Sequence, residues 1–259
     1  MRRAVKILTI IPLLYLIIIP VFFAESAGSE LCGGVSIDLK DSANYHFVTK
    51  RNLASLVTGT AKIYGKPVKE IPVEDIESKV KQLRELRDAE VYVGIDKEIH
   101  VYADQREPIM RVIPDGGGDF FVDEEGVVFR KRNLYNPRLH IVGGNITITQ
   151  NMLNGVSVLD TVIKHSILKD IYKMVKYVDD DDFWSAQVDQ IWVDGNDEID
   201  IIPRAGNHII HLGTVENLDG KLRNLRAFYE KVLPEVGWNR YSVINLEYRD
   251  QIVCKKRNN

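Results

Sequence analysis

Cysteine is scarce in this sequence, and basic residues are not in excess. The only two cysteines, Cys32 and Cys254, lie near opposite ends of the folded portion and have no metal-ligand spacing. We expect both thiols to be unpaired, although the sequence leaves a bridge between them open. The net charge of -3 lacks the basic excess that is typical of nucleic-acid-binding proteins. We therefore predict no nucleic-acid partner.

Recognisable catalytic and cofactor motifs are also missing. The sequence has no G-x-S-x-G nucleophile elbow. Its glycine-rich stretch "DGGGDF" runs into a strand pattern, whereas a phosphate-binding loop needs a helix there. The successive acidic residues Asp123, Glu124 and Glu125 point in divergent directions, and His208 and His211 lie on opposite faces of a predicted strand. We therefore predict no enzyme activity, no cofactor and no metal site.

The amino-terminal part of the sequence contains an apolar run from Ile7 to Ala24, preceded by three basic residues. A helix of this length reaches ~27 Å, the short end of what spans a bilayer, and its basic flank favours a cytoplasmic amino terminus. The sequence thus predicts a cytoplasmic end over residues 1–6 and a transmembrane helix over residues 7–24. A cleaved signal peptide is the alternative, because Ala24 to Ala27 offers small residues after the run.

After a linker over residues 25–34, the periodicity of residues 35–107 changes several times. Apolar residues alternate with a period of two in "VSIDLK", which is typical of a strand. The period becomes helical in "KRNLASLV", after the N-cap Thr49, and again after Pro72. It returns to two residues in "AEVYVGID" and "KEIHVYADQREP". This pattern predicts a small domain with the order strand, helix, helix, strand, strand.

The core of this small domain follows from the same periodicity. The second helix is predicted to extend through Leu83 and Leu86, and Ile95 is predicted to share a strand face with two valines. The expected core residues are Val35, Ile37, Ile76, Val80, Leu83, Val91 and Val93.

Residues 108–257 predict a second, β-rich domain. The helical pattern of "SVLDTVIKHSILKDIYKMVKYV" stops at Asp179 to Asp182, which we interpret as a solvated loop that caps the following turn. Three short strand patterns then resemble a meander, and an amphipathic helix runs from Leu218 until Pro234. A closing hairpin is predicted to turn at Arg249-Asp250 and to pair "NLEY" with "QIVCK". The predicted fold class is α+β, with a long antiparallel sheet and flanking helices in the second domain.

Two parts of the sequence resemble known domains. The strand and helix order of residues 35–107 resembles the POTRA module, a small sheet covered by two helices that binds polypeptides. The segment "QREPIMRVIPDGGGDFFVDEEGVVFRKRN" resembles the start of the second domain of the bacterial division proteins FtsQ and DivIB, with "ExxPI" followed by "xVDxxGxVF". The final segment, from "HIIHLG" onwards, is similar to that family's "LG…K…RFxxxYxxL" helix and "YxDLRY…VxV" hairpin. The residues that match the first two motifs are Glu107, Pro108, Ile109, Val122, Asp123, Gly126, Val128 and Phe129.

The resemblance implies a non-enzymatic divisome scaffold that recruits or regulates septal peptidoglycan synthesis. It implies a single-pass protein of the bacterial inner membrane, located at the division septum, with a cytoplasmic amino terminus and periplasmic domains. Its implied partners are FtsB- and FtsL-like proteins, captured at the open edge of a final strand over Gln251–Lys255. Further division proteins are expected at the POTRA-like domain.

The same resemblance implies the partner-binding residues, with two arginines of the amphipathic helix beside the final strand. At Glu247 this sequence departs from the pattern, because many relatives carry arginine there. The predicted residues are Arg223, Arg226, Tyr248, Arg249, Asp250, Gln251, Ile252, Val253 and Cys254.

Two other classes of function stay open at this point. A POTRA-containing export or outer-membrane assembly factor is expected to carry repeated POTRA modules or a membrane β-barrel, and the sequence shows neither pattern. A periplasmic enzyme or solute-binding protein is expected to present a sizeable pocket with convergent polar groups.

Overall fold

The computed structural model describes residues 30–41, 43–249 and 251–257. The predicted transmembrane helix lies outside these residues, and within them no helix has the length and apolar character needed to cross a membrane. The contacts divide the chain into two units, an amino-terminal unit that ends at Gln105 and a carboxyl-terminal unit that begins at Arg106.

The amino-terminal unit contains a three-stranded sheet and two helices. In its sheet order, β1-β3-β2, the central strand β3 is parallel to β1 and antiparallel to β2. The order along the chain is therefore strand, helix, helix, strand, strand, as the sequence predicts for a POTRA-like domain. Its elements are β1 (Gly34–Lys40), α1 (Lys50–Thr60), a 3-10 turn (Val68–Glu70), α2 (Val73–Lys81), β2 (Leu86–Val93) and β3 (Glu98–Gln105).

Local sequence signals set the ends of these helices. Thr49 is the N-cap of α1, where its side chain accepts a hydrogen bond from the backbone N–H of Asn52 over 3.2 Å. Pro72 precedes α2, whose first turn carries Glu74 and Asp75, and these carboxylates complement the helix dipole. The apolar faces of both helices are buried in one core that includes Leu53, Val57, Ile76 and Val80.

Three details of this unit differ from the prediction. The helix α2 ends at Lys81, so Leu83 is a half-buried residue of the following turn and Leu86 begins β2. Ile95 is fully exposed, because β2 ends at Val93 and the chain then turns. The helical spacing of the leucines is therefore coincidental at this helix end.

The carboxyl-terminal unit is built on a nine-stranded sheet with the order β12-β11-β10-β9-β8-β7-β4-β5-β6. Its strands are β4 (Pro108–Pro114), β5 (Phe120–Asp123), β6 (Val128–Arg130), β7 (His140–Gly144), β8 (Val188–Val193), β9 (Ile199–Pro203), β10 (Ile209–Gly213), β11 (Tyr241–Asn245) and β12 (Val253–Lys256). Its helices are α3 (Gln150–Leu153), α4 (Ile167–Asp179), α5 (Asp182–Gln187), α6 (Leu218–Lys231) and α7 (Leu233–Val236).

This sheet is mixed, and the prediction of a long antiparallel sheet is wrong. The pairs β4–β7, β7–β8 and β10–β11 are parallel. The chain returns to the same end of the sheet through α4 and α5 between β7 and β8, and through α6 between β10 and β11. The predicted meander is confirmed, because β8, β9 and β10 pair antiparallel in succession.

The helix α4 is shorter than its sequence pattern. It begins at Ile167, after the N-cap Ser166, and the preceding residue His165 has a φ of 46°, which is incompatible with a continuous right-handed helix. Leu168, Ile171 and Met174 on α4 are buried in the core of the unit. The predicted loop is shorter than Asp179 to Asp182, because Asp179 ends α4 and Asp182 begins α5. The predicted capping is confirmed at Asp181, whose side chain accepts hydrogen bonds from the backbone N–H groups of Phe183 and Trp184 in the first turn of α5.

Candidate partner-binding site

The chain ends on a hairpin at one side of the nine-stranded sheet. β11 and β12 pair antiparallel, with Ile244 opposite Cys254 and Asn245 opposite Val253. The sequence predicts this hairpin, but the predicted pairing of "NLEY" with "QIVCK" is wrong. Only Asn245 of the first segment lies in β11, and the final strand is Val253–Lys256.

The chain leaves the hairpin early for two reasons. The backbone N–H of Leu246 bonds to the carbonyl of His211 over 2.8 Å, and the Leu246 side chain is buried at 3% exposure. The backbone N–H of Glu247 then bonds to the side chain of Asn245 over 2.8 Å, which begins the turn. The connection to β12 is therefore not part of the ladder, and we call its described residues, 246–249, 251 and 252, the hairpin loop.

Among the described residues, β12 has a strand neighbour on one side only. A strand directs its backbone groups alternately to its two sides, so part of the N–H and C=O groups of β12 points away from β11. The side chain of Cys254 packs against the core, whereas Val253, Lys255 and Lys256 are exposed. The geometry therefore offers a hydrogen-bonding edge to an added strand.

A groove of about 620 Å³ lies between α6 and the hairpin loop. On the α6 side, Lys221 donates hydrogen bonds from Nζ to the carbonyls of Leu212 over 2.8 Å and of Thr214 over 2.9 Å. Burial lowers the pKa of Lys221, although the negative charges of Glu247 and Glu216 oppose this shift. The hairpin-loop residues that line the groove are Leu246, Glu247, Tyr248, Arg249, Gln251 and Ile252.

The predicted residues of the hairpin loop and final strand thus come together around this groove and edge. Tyr248 is 54% exposed, and Ile252 packs against the core. Asp250, which was predicted as a partner-binding residue, lies outside the described residues. The sequence analysis did not single out Lys221 and Asn224, which also line the groove. The signal that could have identified them is their position in the helical repeat of α6 relative to its apolar stripe.

The structure does not bring Arg223 and Arg226 together with the hairpin loop. Arg226 forms an ion pair with Asp181 over 3.0 Å, and its guanidinium lies 4.6 Å from the centre of the Phe183 ring. Arg223 pairs with Asp219 over 3.2 Å on the exposed side of α6.

The side of α6 that faces β11 is not the side that carries Arg223 and Arg226. Phe228 lies there, with its ring 5.9 Å from the ring of Tyr241. Lys221 is two turns before Phe228 and shares this side, whereas Arg223 and Arg226 lie on the opposite side of the helix. The prediction that the two arginines flank the final strand is therefore wrong, because the apolar stripe separates them from it.

A second group of polar side chains lies in the amino-terminal unit. Potential ligand atoms of Asp96, Glu98 and His100 fall within 4.8 Å of one another at the turn between β2 and β3. His100 Nε2 lies 2.9 Å and 3.1 Å from the two carboxylate oxygens of Asp96, so this nitrogen already has a partner. The sequence analysis did not predict this cluster.

The two units match two family models. The model described as "FtsQ/DivIB, C-terminal related" covers residues 107–255, which is more than half of the chain. The chain belongs to the FtsQ/DivIB family. The model described as "POTRA-like domain" covers residues 30–103. No curated protein matches the chain at a significant level.

Membership of the FtsQ/DivIB family implies a role in cell division. The family consists of membrane-anchored division proteins that serve as non-enzymatic scaffolds. The "VDxxG" motif that carries the resemblance has a structural role in this chain. Asp123 Oδ1 accepts hydrogen bonds from the backbone N–H groups of Glu125 over 3.0 Å and Val127 over 2.7 Å, and Gly126 has a φ of 78°. The motif therefore builds the turn between β5 and β6.

Proposed function

We propose that this FtsQ/DivIB-family chain is a scaffold that captures FtsB- and FtsL-like division proteins at its carboxyl-terminal hairpin. The observation that carries the proposal is the open edge of β12 beside the groove of the hairpin loop. A partner segment in extended conformation gains main-chain hydrogen bonds at such an edge without any signature side chain. The groove then accommodates a side chain or a short turn of the same partner.

The charges around the edge favour an acidic partner segment. Lys255 and Lys256 are exposed on β12, and Arg257 follows with its backbone N–H bonded to the carbonyl of Arg240. Basic residues on an edge strand also prevent self-association, because they repel a second copy of the same edge. A partner with acidic residues removes that repulsion, so the same lysines select the partner.

The cellular placement belongs to this proposal. The apolar run from Ile7 to Ala24 serves as a single anchor in the bacterial inner membrane, with the two described units in the periplasm at the division septum. The amino-terminal unit offers a further surface for division proteins. The family match over residues 107–255 supports this function over that of an export or outer-membrane assembly factor.

Binding of the full-length chain in detergent to the FtsB-like and FtsL-like proteins of its own organism tests the proposal. The charge reversal Lys256→Glu is expected to weaken binding about tenfold, or ~1.4 kcal/mol, with a strong dependence on salt. Removal of residues 252–259 is expected to abolish binding, because it deletes β12. The matched control is Lys173→Glu on α4, an exposed lysine of the same unit that pairs with Asp170.

The two α6 arginines supply a second comparison. Arg223→Glu reverses a charge on the side of α6 away from the hairpin. If the edge is the capture site, this variant binds like the Lys173→Glu control. Full binding by a folded chain that lacks β12, or equal losses in all charge-reversal variants, would refute capture at the edge.

A further inference from the structure

In the described part of the carboxyl-terminal unit, the helices pack against the same face of the sheet. They bury their apolar side chains in one core with Ile191, Ile201 and Ile210 of the strands. Side chains alternate between the two faces along a strand, so the residues next to these point away from the helices. We call this other side of the strands β8 to β12 the open face.

The open face is rich in apolar side chains. Trp192 is 45% exposed, Ile209 42% and Val253 47%, and Ile202 and Val243 are half-buried. A sheet face that meets only water normally carries polar side chains at these alternating positions. A contiguous apolar patch that is exposed on a folded chain marks a contact with another macromolecule.

Three of these side chains cross neighbouring strands side by side. Ile209 lies opposite Val243 in the ladder of β10 and β11. The antiparallel pairing of Ile210 with Ile201 places Ile209 beside Ile202 of β9. We call Ile202, Ile209 and Val243 the apolar strip. Because its side chains are branched and stand in one row across the sheet, the strip offers a flat apolar surface to a second sheet.

Trp192 lies next to the apolar strip and is held in place. It is opposite Asp200 on β9 and is therefore a diagonal neighbour of Ile202. Its indole lies against Gly143 of β7, where a Cβ atom would come within 2.9 Å of the ring. The glycine thus provides the space in which the indole rests on the sheet. An aromatic side chain that is already held loses little conformational entropy when a partner covers it, and tryptophan is prominent among the residues that dominate binding energies.

The charges of the open face are divided between the two ends of β9. Alternation along this strand places Glu198, Asp200, Ile202 and Arg204 on the open face, because Ile199 between them is buried in the core. Two carboxylates therefore precede the apolar strip on β9, and one guanidinium follows it.

Contacts within the chain leave these charged groups accessible. Asp200 and Glu198 both contact the imidazole of His211, at 2.7 Å and 3.7 Å. Arg204 donates from Nη2 alone to Asp189 over 3.2 Å, and its side chain is 61% exposed. A guanidinium has five N–H donors, so Arg204 has donors for a second carboxylate.

We propose that the open face binds the open face of a second copy of this chain. The twofold axis lies in the interface, across the strands and along the apolar strip, so that each strip side chain meets its own copy. β9 then runs antiparallel to β9 of the second chain, and Arg204 reaches the carboxylates of Asp200 and Glu198 across the interface. A twofold axis along the strands is disfavoured, because it places like charges opposite each other.

This contact covers the face of the sheet and leaves the edge of β12 free. Aligned sheets cross at about 30°, so strands far from the centre of the contact diverge from their copies, and Lys255 on β12 is not held against the second Lys255. Self-association therefore goes beyond the proposed capture of division proteins. It is measured without any partner, so failure of one proposal does not decide the other.

Self-association of the full-length chain in detergent, measured by analytical ultracentrifugation over a range of concentrations, tests the proposal. We expect an equilibrium between monomer and dimer. Trp192→Ser is expected to raise the dissociation constant of the dimer by about tenfold or more, because it removes the aromatic side chain beside the strip. Ile95→Ser is the matched control, since it changes a fully exposed apolar residue of the other unit, and it is expected to dimerise like the wild type.

Charge exchange tests the antiparallel arrangement. Glu198→Arg and Arg204→Glu are each expected to raise the dissociation constant by about tenfold or more, because each variant places like charges opposite each other at two points of its dimer. An equimolar mixture of the two variants is expected to dimerise like the wild type. In the mixed dimer each chain supplies the charge that the other lacks, at both points.

Both charge variants change exposed or half-exposed side chains and are expected to stay folded. A wild-type chain that stays monomeric at all concentrations would overturn the proposal. So would a dimer that Trp192→Ser leaves unchanged, or a mixture of the charge variants that dimerises no better than each variant alone. A dimer that persists in all three variants would come from another part of the chain and would exclude the open face as its contact.

Discussion

Arg106 and Asp123 form a shielded ion pair at the start of the carboxyl-terminal unit. Arg106 Nη1 donates to Asp123 Oδ2 over 2.6 Å, and the residue Asp123 is only 1% exposed. The other oxygen of the carboxylate accepts the two turn hydrogen bonds from Glu125 and Val127. One side chain thus connects the first residue of the unit to the turn of the family motif.

Replacing Asp123 by alanine is therefore expected to be strongly destabilising. The change leaves a shielded guanidinium without this carboxylate and removes two backbone hydrogen bonds, and loss of one partner of a buried pair costs about 3–5 kcal/mol. Denaturant unfolding of residues 30–257 measures the effect. The control Glu125→Ala removes a half-exposed carboxylate that also pairs with Arg106, over 3.2 Å, and is expected to cost less than about 1 kcal/mol. Equal losses of stability in the two variants would contradict the conclusion that Asp123 is the buried partner of Arg106 and of the turn.

The core of the amino-terminal unit gives a second prediction. Ile76 is fully buried in α2, so Ile76→Ala is expected to lower the free energy of unfolding of this unit by about 2–5 kcal/mol. Ile95 is fully exposed, and Ile95→Ala is expected to change the free energy of unfolding by less than about 0.5 kcal/mol. Leu83→Ala, at a half-buried position, falls between these values. A fragment of residues 30–105 allows the measurement, and an unfolded fragment would show that the unit depends on the rest of the chain.

A third prediction concerns pH. His208 is 2% exposed, its Nε2 lies 2.6 Å from the hydroxyl oxygen of Tyr229, and burial lowers the pKa of His208 from its ordinary value of 6.5. Below pH 6.5 the unfolded chain therefore binds a proton that the folded chain does not. The contribution of His208 to the free energy of unfolding is therefore fully present above pH 6.5. It decreases as the pH falls toward the lowered pKa, by up to about 1.4 kcal/mol per pH unit.

Thermal unfolding of residues 30–257 at pH 7.5 and pH 5.5 tests this coupling. We expect His208→Gln to reduce the difference between the two melting temperatures. The corresponding substitution of an exposed histidine in the other unit, His46→Gln, is measured alongside as the control. A wild-type difference that persists in full in His208→Gln would assign the pH dependence to other groups.

The sequence predicts those parts of the fold that depend on local patterns. The N-cap at Thr49 and the cap at Asp181 follow from short side-chain signals, and the strands of the meander follow from their alternation. The start of α4 was missed because Val158 is buried without being helical. Periodicity records which residues are buried, and burial outside a helix produces the same signal.

The candidate site shows where local patterns cease to be sufficient. The sequence places a hairpin at the carboxyl terminus, but its register depends on the bond from Leu246 to the carbonyl of His211, a residue distant in sequence. The position of Arg226 likewise depends on Asp181 and Phe183 of another helix. Such contacts arise from tertiary packing, so the sequence predicts the hairpin but neither the arrangement around it nor the contribution of Lys221 and Asn224 to the groove.

The last prediction concerns Lys221, which holds the groove beside the hairpin. Its ammonium bonds the carbonyls of Leu212 and Thr214, at the point where the chain leaves β10 for α6. Lys221→Met keeps the length of the side chain but leaves both carbonyls without this donor, and hydrogen bonds to charged groups contribute about 1.5–3 kcal/mol. We expect a folded variant with reduced stability and at least about tenfold weaker capture of the FtsB-like partner. Lys231→Met, at the exposed last position of α6, is the control and is expected to bind like the wild type. Normal capture by a destabilised Lys221→Met variant would show that the partner uses the edge of β12 without the groove.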